Sequence, residues 1–188
     1  MFRLPLSTLA QTLFPFFRHT IPNVRLAVIK TLHSFMDVDS LPKDWVATPF
    51  VRLLYQNLIC EERADIRDAS LLAWQTMLVI LSSIPGRMQE VIHQQLILDW
   101  FASVMTPLGV PINVSTFFNP SLAIDIAAPP ERHNVDKNML SQDLSLISVE
   151  VILKARIATA SALAYLIVLW PAEVFSKLDY GCFFLIFF

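Results

Sequence analysis

Apolar residues recur along this chain at spacings of three and four, the period of amphipathic helices, and Pro or Gly punctuates them. Leu6, Leu9, Leu13, Phe16 and Phe17 predict a helix from Leu6 to Phe17. Thr20-Ile21-Pro22-Asn23 then turns the chain, with Pro22 pre-setting φ and Asn23 able to accept from the backbone as an N-cap. Val24, Ala27, Val28, Leu32 and Phe35 line one face of the next helix, and Asp37 to Pro42 closes this first pair. A second pair is predicted from about Trp45 to Ile59, with Pro49 in its first turn or two, and from Ala64 to about Leu81. Ile66, Ala69, Leu72, Ala73, Leu78 and Val79 supply the apolar positions of its second helix. Pro85-Gly86 ends it, because Gly supplies φ > 0 and Pro restricts the residue before it. A third first helix runs from about Met88 to Met105 on Val91, Ile92, Leu96, Leu98, Trp100 and Phe101. From Thr106 to about Lys137 the period is lost, and five of the twelve prolines fall there. The partner helix returns in the region 138–148, runs to Trp170 and stops at Pro171.

The second helix of each pair carries the same short pattern: Arg, any residue, Ala, any four residues, then a large apolar residue. It occurs as Arg25, Ala27, Leu32, as Arg67, Ala69, Trp74, and as Arg156, Ala158, Leu163. The first two arginines are 42 residues apart and the next two 89, so the third copy is late by about the length of the Pro-rich insertion and its helical re-entry. A period near 40 is the signature of a solenoid in which each helix pair buries a face against its neighbours. The expected fold is therefore all-α: a HEAT-type α-solenoid of about three helix pairs, with a long irregular insertion in the third. Residues 1–171 form the repeat segment, with the insertion at about 106–137, and residues 172–188 form an aberrant apolar tail ending Phe183 to Phe188.

Six positions before each motif arginine stand His19, Glu61 and Glu150. An acid at that place can pair with the Arg of its own or an adjacent repeat and build a ladder along the solenoid. The motif arginines read as structural, the alanines as points of close helix approach, and Leu32, Trp74 and Leu163 as groove fillers.

Composition sharpens this picture. The chain of 188 residues is 55% hydrophobic and 16% charged, against roughly 25% charged in ordinary soluble domains. Three glycines suit long helices joined by short turns. Many apolar residues with few charges imply faces covered by something else, as in a segment of a larger protein. A net charge of −2 gives no electrostatic case for nucleic-acid binding. Cys60 and Cys182 make no C-x-x-C pair and fit a reducing compartment. The N-terminus, interrupted by Pro5 and polar Ser7, Thr8 and Gln11, makes a poor signal peptide. The uncharged run from Ile157 to Leu169 is 13 residues, short of the ~20 that a spanning helix needs.

No catalytic constellation emerges. His19, His33, His93 and His133 share no spacing that sets two on one helical face as metal ligands. Neither a Gly-x-x-x-x-Gly-Lys-Ser/Thr nor a Gly-x-Gly-x-x-Gly phosphate loop occurs, and no Gly-x-Ser-x-Gly elbow. No cofactor or metal is expected.

Five stretches are more specific than a generic repeat: Phe14 to Arg25, Leu58 to Ser70, Met105 to Ile112, His133 to Lys137 and Gln142 to Arg156. Together they resemble the central domain of the modifier-of-transcription-one family, TATA-binding-protein-associated Swi/Snf-type ATPases related to chromatin remodellers. The likeness has a fungal character and covers about residues 9 to 171. It implies a nuclear protein whose HEAT repeats hold the TATA-binding protein, while a C-terminal motor engages DNA and uses ATP to strip that protein from promoters. The motor and its nucleotide motifs are absent from this sequence. The resemblance thus implies a non-catalytic scaffold segment that touches the TATA-binding protein and adjacent HEAT repeats, with ATP and DNA left to the missing motor and no membrane contact. Two other classes compete: a free-standing helical interaction module, and a small membrane-associated helical protein.

Overall fold

A computed structural model describes residues 5–92, 94–105, 149–172 and 174. Among them the regular structure is helical: α1 (Leu6–Leu13), a 3₁₀ segment (Phe14–Arg18), α2 (Pro22–Asp37), α3 (Thr48–Cys60), α4 (Ala64–Ser83), α5 (Arg87–Val91), α6 (Gln94–Met105) and α7 (Val149–Leu169). Three layers result. The first is α1 with the 3₁₀ segment against α2, the second α3 against α4, and the third α6 against α7. The layers stack in chain order, α2 on α4 and α4 on α7, with α3 also packed on α7. This is an all-α solenoid.

Local chemistry sets the element ends, and in several places it differs from the sequence expectation. The first helix does not stay α-helical to Phe17. Pro15 has no N–H to donate, the Phe14 N–H turns back to Gln11 three residues earlier, and the chain tightens into the 3₁₀ segment. Helix α2 opens at Pro22, with Ile21 as its extended N-cap, so Asn23 is not the cap. Helix α3 starts at Thr48 with Pro49 in its first turn, leaving Trp45 buried in the turn ahead of it. The span from Met88 to Met105 divides into α5 and α6, with Ile92 extended between them. Gly86, at φ 77°, supplies the left-handed residue that admits α5.

Side chains tie the connections down. Lys43 Nζ donates to the carbonyls of Phe35 (2.6 Å) and Val38 (2.7 Å), satisfying the end of α2. Arg87 reaches the carbonyls of Asp44 (3.2 Å) and Val46 (3.3 Å), and Thr48 Oγ1 donates to Val91 O at 3.0 Å. These bonds fix the start of the second layer to the start of the third.

One core runs through all three layers. Phe14, Phe17, Trp45 and Phe50 fill the lower part, with Phe14 stacked on Phe50 at 5.8 Å and Trp45 edge-on to it at 5.1 Å. Tyr55, Trp74 and Trp100 fill the upper part, with Tyr55 stacked on Trp100 at 4.7 Å and Trp74 edge-on to Trp100 at 5.4 Å. Leu72 and Val79, expected on the packed face of α4, are instead exposed. That helix buries Ile66, Ser70, Ala73, Trp74, Met77 and Leu78, a face turned one position from the expected stripe.

The insertion expected at 106–137, the tail after Val174, and His133 and Cys182 lie outside the described residues, as do His93 and the side chain of Cys60. No helix among the described residues is long and apolar enough to cross a membrane.

Candidate functional site

The motif arginines organise the polar interior. Arg25 is buried near the start of α2, and its guanidinium splits its donors between two layers. Nη1 donates backwards to the carbonyl oxygens of His19 (2.7 Å) and Thr20 (3.4 Å), in the turn before its own helix. Nε and Nη2 donate forward to Glu61 Oε2 (2.8 Å) and Oε1 (3.0 Å), in the turn before the second helix of the next layer. This two-pronged pairing uses the planar fork of Arg. The two side chains are 9% and 1% exposed, so the pair is nearly dry.

Arg67 repeats the backward half. Its Nη1 donates to the carbonyls of Glu61 (2.7 Å) and Glu62 (2.6 Å), at the same offsets of six and five residues. The residue six before each Arg also folds the turn in the same way. His19 Nδ1 accepts the Ile21 N–H at 3.1 Å, and Glu61 Oε1 accepts the Arg63 N–H at 3.2 Å. His19 therefore does locally what Glu61 does, without a carboxylate to offer another layer. The side chain of Glu150, the third member of this series, lies outside the described residues.

A second, exposed contact runs beside the first. Arg63 pairs with Asp65 through Nε to Oδ1 at 3.0 Å and reaches Asn23 Oδ1 of the first layer at 3.4 Å. The hydrogen bonds from Arg63 hold the Asp65 carboxyl below its ordinary range, and the Arg63 guanidinium is raised in turn, first by the bond to Asp65.

The nine motif residues are not gathered into one cleft; the structure spreads them over three helices, with Arg25 and Arg67 in the first turn of α2 and α4 and Arg156 two turns into α7. Leu32, Trp74 and Leu163 are buried. Trp74 also donates Nε1–H to Ala162 O of α7 at 3.2 Å, so it joins the second and third layers. Ala69 and Ala158 pack part-buried against the core, whereas Ala27 is exposed and gives no close helix approach. Arg156 is part-buried on α7, with Nε and Nη2 enclosed and without a hydrogen-bond partner.

Sequence spacing alone missed three other polar ties. Tyr55 OH lies 3.0 Å from Thr159 Oγ1, joining α3 to α7 in the buried interior. His33 Nε2 lies 2.9 Å from Thr76 Oγ1 between α2 and α4. Arg18 Nη2 donates to Gln56 Oε1, joining the 3₁₀ segment to α3. Each pairs residues of adjacent layers, a relation that only the stacking register reveals.

A pocket of about 230 Å³ opens between α4 and α7, lined by Arg67, Asp68, Leu71, Lys154, Ile157 and Ser161 among others. Its charges are mixed. No group of three His, Cys, Asp or Glu among the described residues could hold a metal ion.

Fold and polar interior together define an all-α, stacked-helix solenoid in which the buried Arg25–Glu61 pair joins two layers. The family described as "Domain of unknown function (DUF3535)" matches residues 73–181, more than half of the chain. The chain belongs to that family, and the kinship with the modifier-of-transcription-one proteins read from the sequence stands. It is similar to the TATA-binding protein-associated factor mot1 of Aspergillus fumigatus, at 30% identity over 86% of this chain and 10% of the relative. The proteins of the same name in Saccharomyces cerevisiae (26% over 84%) and Schizosaccharomyces pombe (25% over 88%) match in the same way, each over 10% of its own length. The chain thus spans about a tenth of the length of the curated relatives it matches.

Proposed function

We propose that this chain is a non-catalytic, HEAT-type scaffold segment of a TATA-binding protein-associated factor, acting in transcription in the nucleus. The observation that carries the reading is the Arg25–Glu61 pair. The buried Arg25–Glu61 pair joins two successive layers of the stack. Buried charge used in this way holds register along a solenoid, and a solenoid presents extended surface for other macromolecules. The names of the relatives supply the partner, the TATA-binding protein. ATP hydrolysis and DNA engagement, which the family resemblance implies, belong in this reading to parts of the relatives outside the matched tenth. The chain itself needs no cofactor.

The test is a pull-down of TATA-binding protein by the full-length Aspergillus fumigatus relative, with and without the residues equivalent to 9–171. Weakened retention and slower release of TATA-binding protein from promoter DNA are expected on deletion. Retention and release at the undeleted level would overturn the scaffold role.

A further inference from the structure

We propose that the pocket between α4 and α7 seats an acidic side chain of a protein partner, with the Arg67 guanidinium receiving the carboxylate and the apolar neighbours of that side chain resting at the pocket mouth. The proposal deepens the scaffold reading and rests on it in taking the occupant to be a protein segment.

Arg25 shows what Arg67 lacks. Both arginines use Nη1 on two carbonyls of the turn before their own helix. Arg25 gives its Nε and Nη2 to the Glu61 carboxylate, which the extended turn before α4 carries into place. The third layer has no such turn at that level, because residues 149–156 are already helical. The Nε and Nη2 of Arg67 accordingly have no hydrogen-bond partner, and neither is enclosed. Two N–H donors on one edge of a guanidinium match the two oxygens of a carboxylate.

The pocket lies beside these donors. Its charged lining residues are Arg67, Lys154 and Asp68, and Leu58, Leu71 and Ile157 supply apolar wall. Every residue that lines it is among those described.

Size, charge and apolar surface select the occupant. A volume of about 230 Å³ lies below the roughly 300–1,000 Å³ of small-molecule sites and suits one side chain. Two cations against one carboxylate leave a single net positive charge, which suits one further carboxylate, whereas a phosphate dianion would also face Asp68. Apolar surface continues outward along α7, where Ile157 is 67% exposed and Leu153, one turn earlier, 42%. A peptide acid flanked by apolar residues covers that strip and pairs with Arg67 at once. A free small acid would leave the strip bare.

The experiment titrates the isotopically labelled 188-residue chain with the peptide acetyl-Leu-Glu-Leu-amide, following the Arg67 Nε–H and Ile157 amide resonances by NMR. Both are expected to shift and to saturate at millimolar peptide. Acetyl-Leu-Gln-Leu-amide, which keeps the shape and drops the charge, should bind about tenfold more weakly. Asp68→Asn removes the like charge and should tighten binding, an effect that a purely structural role of Arg67 would not produce. Arg67→Gln should abolish binding, but Arg67 also holds the carbonyls of Glu61 and Glu62. Ile157→Glu is therefore the second variant: at an exposed position it tethers a carboxylate at the mouth and should block the peptide while that turn stays intact. Equal binding of the two peptides overturns the proposal, as does a wild type without saturable shifts, or inorganic phosphate binding as tightly as the Glu peptide. Any such failure leaves TATA-binding protein retention by the full-length relative untouched, so the scaffold reading is judged separately.

Discussion

Replacing Glu61 by Ala should destabilise the chain far more than loss of a surface ion pair. The carboxylate accepts from Arg25 Nε (2.8 Å), Arg25 Nη2 (3.0 Å) and the Arg63 N–H (3.2 Å), and its side chain is 1% exposed. The substitution leaves a buried guanidinium with only the carbonyls of His19 and Thr20 as acceptors. Removing one member of a buried pair costs about 3–5 kcal/mol, against roughly 0.2–1 kcal/mol for an exposed pair. The loss is large beside a typical total stability of about 5–15 kcal/mol, so the milder Glu61→Gln, at about 1.5–3 kcal/mol, is the safer first variant. Urea unfolding followed by fluorescence suits the chain, because Trp45, Trp74 and Trp100 are all buried. A cycle with Arg25→Met and Glu61→Leu separates the pair from its surroundings. The double variant should be less destabilised than the sum of the single ones by about 1–3 kcal/mol, since an apolar pair leaves no orphaned charge. A coupling near zero, or a Glu61→Ala cost below about 1 kcal/mol, would refute the view that this contact locks the first two layers together.

Trp74→Ala should cost about 3–5 kcal/mol in the same urea assay, because the indole is fully buried against Tyr55 and Trp100 and donates to Ala162 O. Tyr55→Phe, which removes only the hydroxyl facing Thr159, should cost about 1 kcal/mol, and a variant as stable as wild type would show that this tie contributes nothing. Asp65, held below its ordinary range by Arg63, contributes stability present above the unfolded carboxyl value and lost as pH falls through the lower folded value. Unfolding midpoints taken from about pH 5 down to about pH 3 should therefore fall more for wild type than for Asp65→Asn, and parallel curves would count against the pairing.

Much of the layering was legible in the sequence, because each helix carries its own period and each pair its own breaker. The Arg-x-Ala pattern marked the start of α2 and α4 but lies two turns into α7, and the acid six residues before Arg67 foretold the buried pair that Arg25 and Glu61 make. The expectation was weakest where a face had to be oriented. Leu72 and Val79 are as apolar as their buried neighbours, and only the packing of α2 and α7 on α4 decides which side of that helix is inside. Ala27 shows the same limit: a shared pattern does not give the same surroundings, since Ala27 is exposed whereas Ala69 and Ala158 are part-buried.

By itself, the sequence determined the all-α class, most of the helices, their stacking in pairs and the family, because period, punctuation and motif are local properties of the chain. Tertiary structure decided which polar groups meet. Arg25 could have paired within its own turn, but stacking brings Glu61 to it from 36 residues away and turns its own-turn carbonyls toward the remaining nitrogen. Partners such as Tyr55 and Thr159, 104 residues apart, are set by the angle at which layers sit on one another. That angle results from side-chain volumes summed over whole faces, a quantity no short pattern encodes.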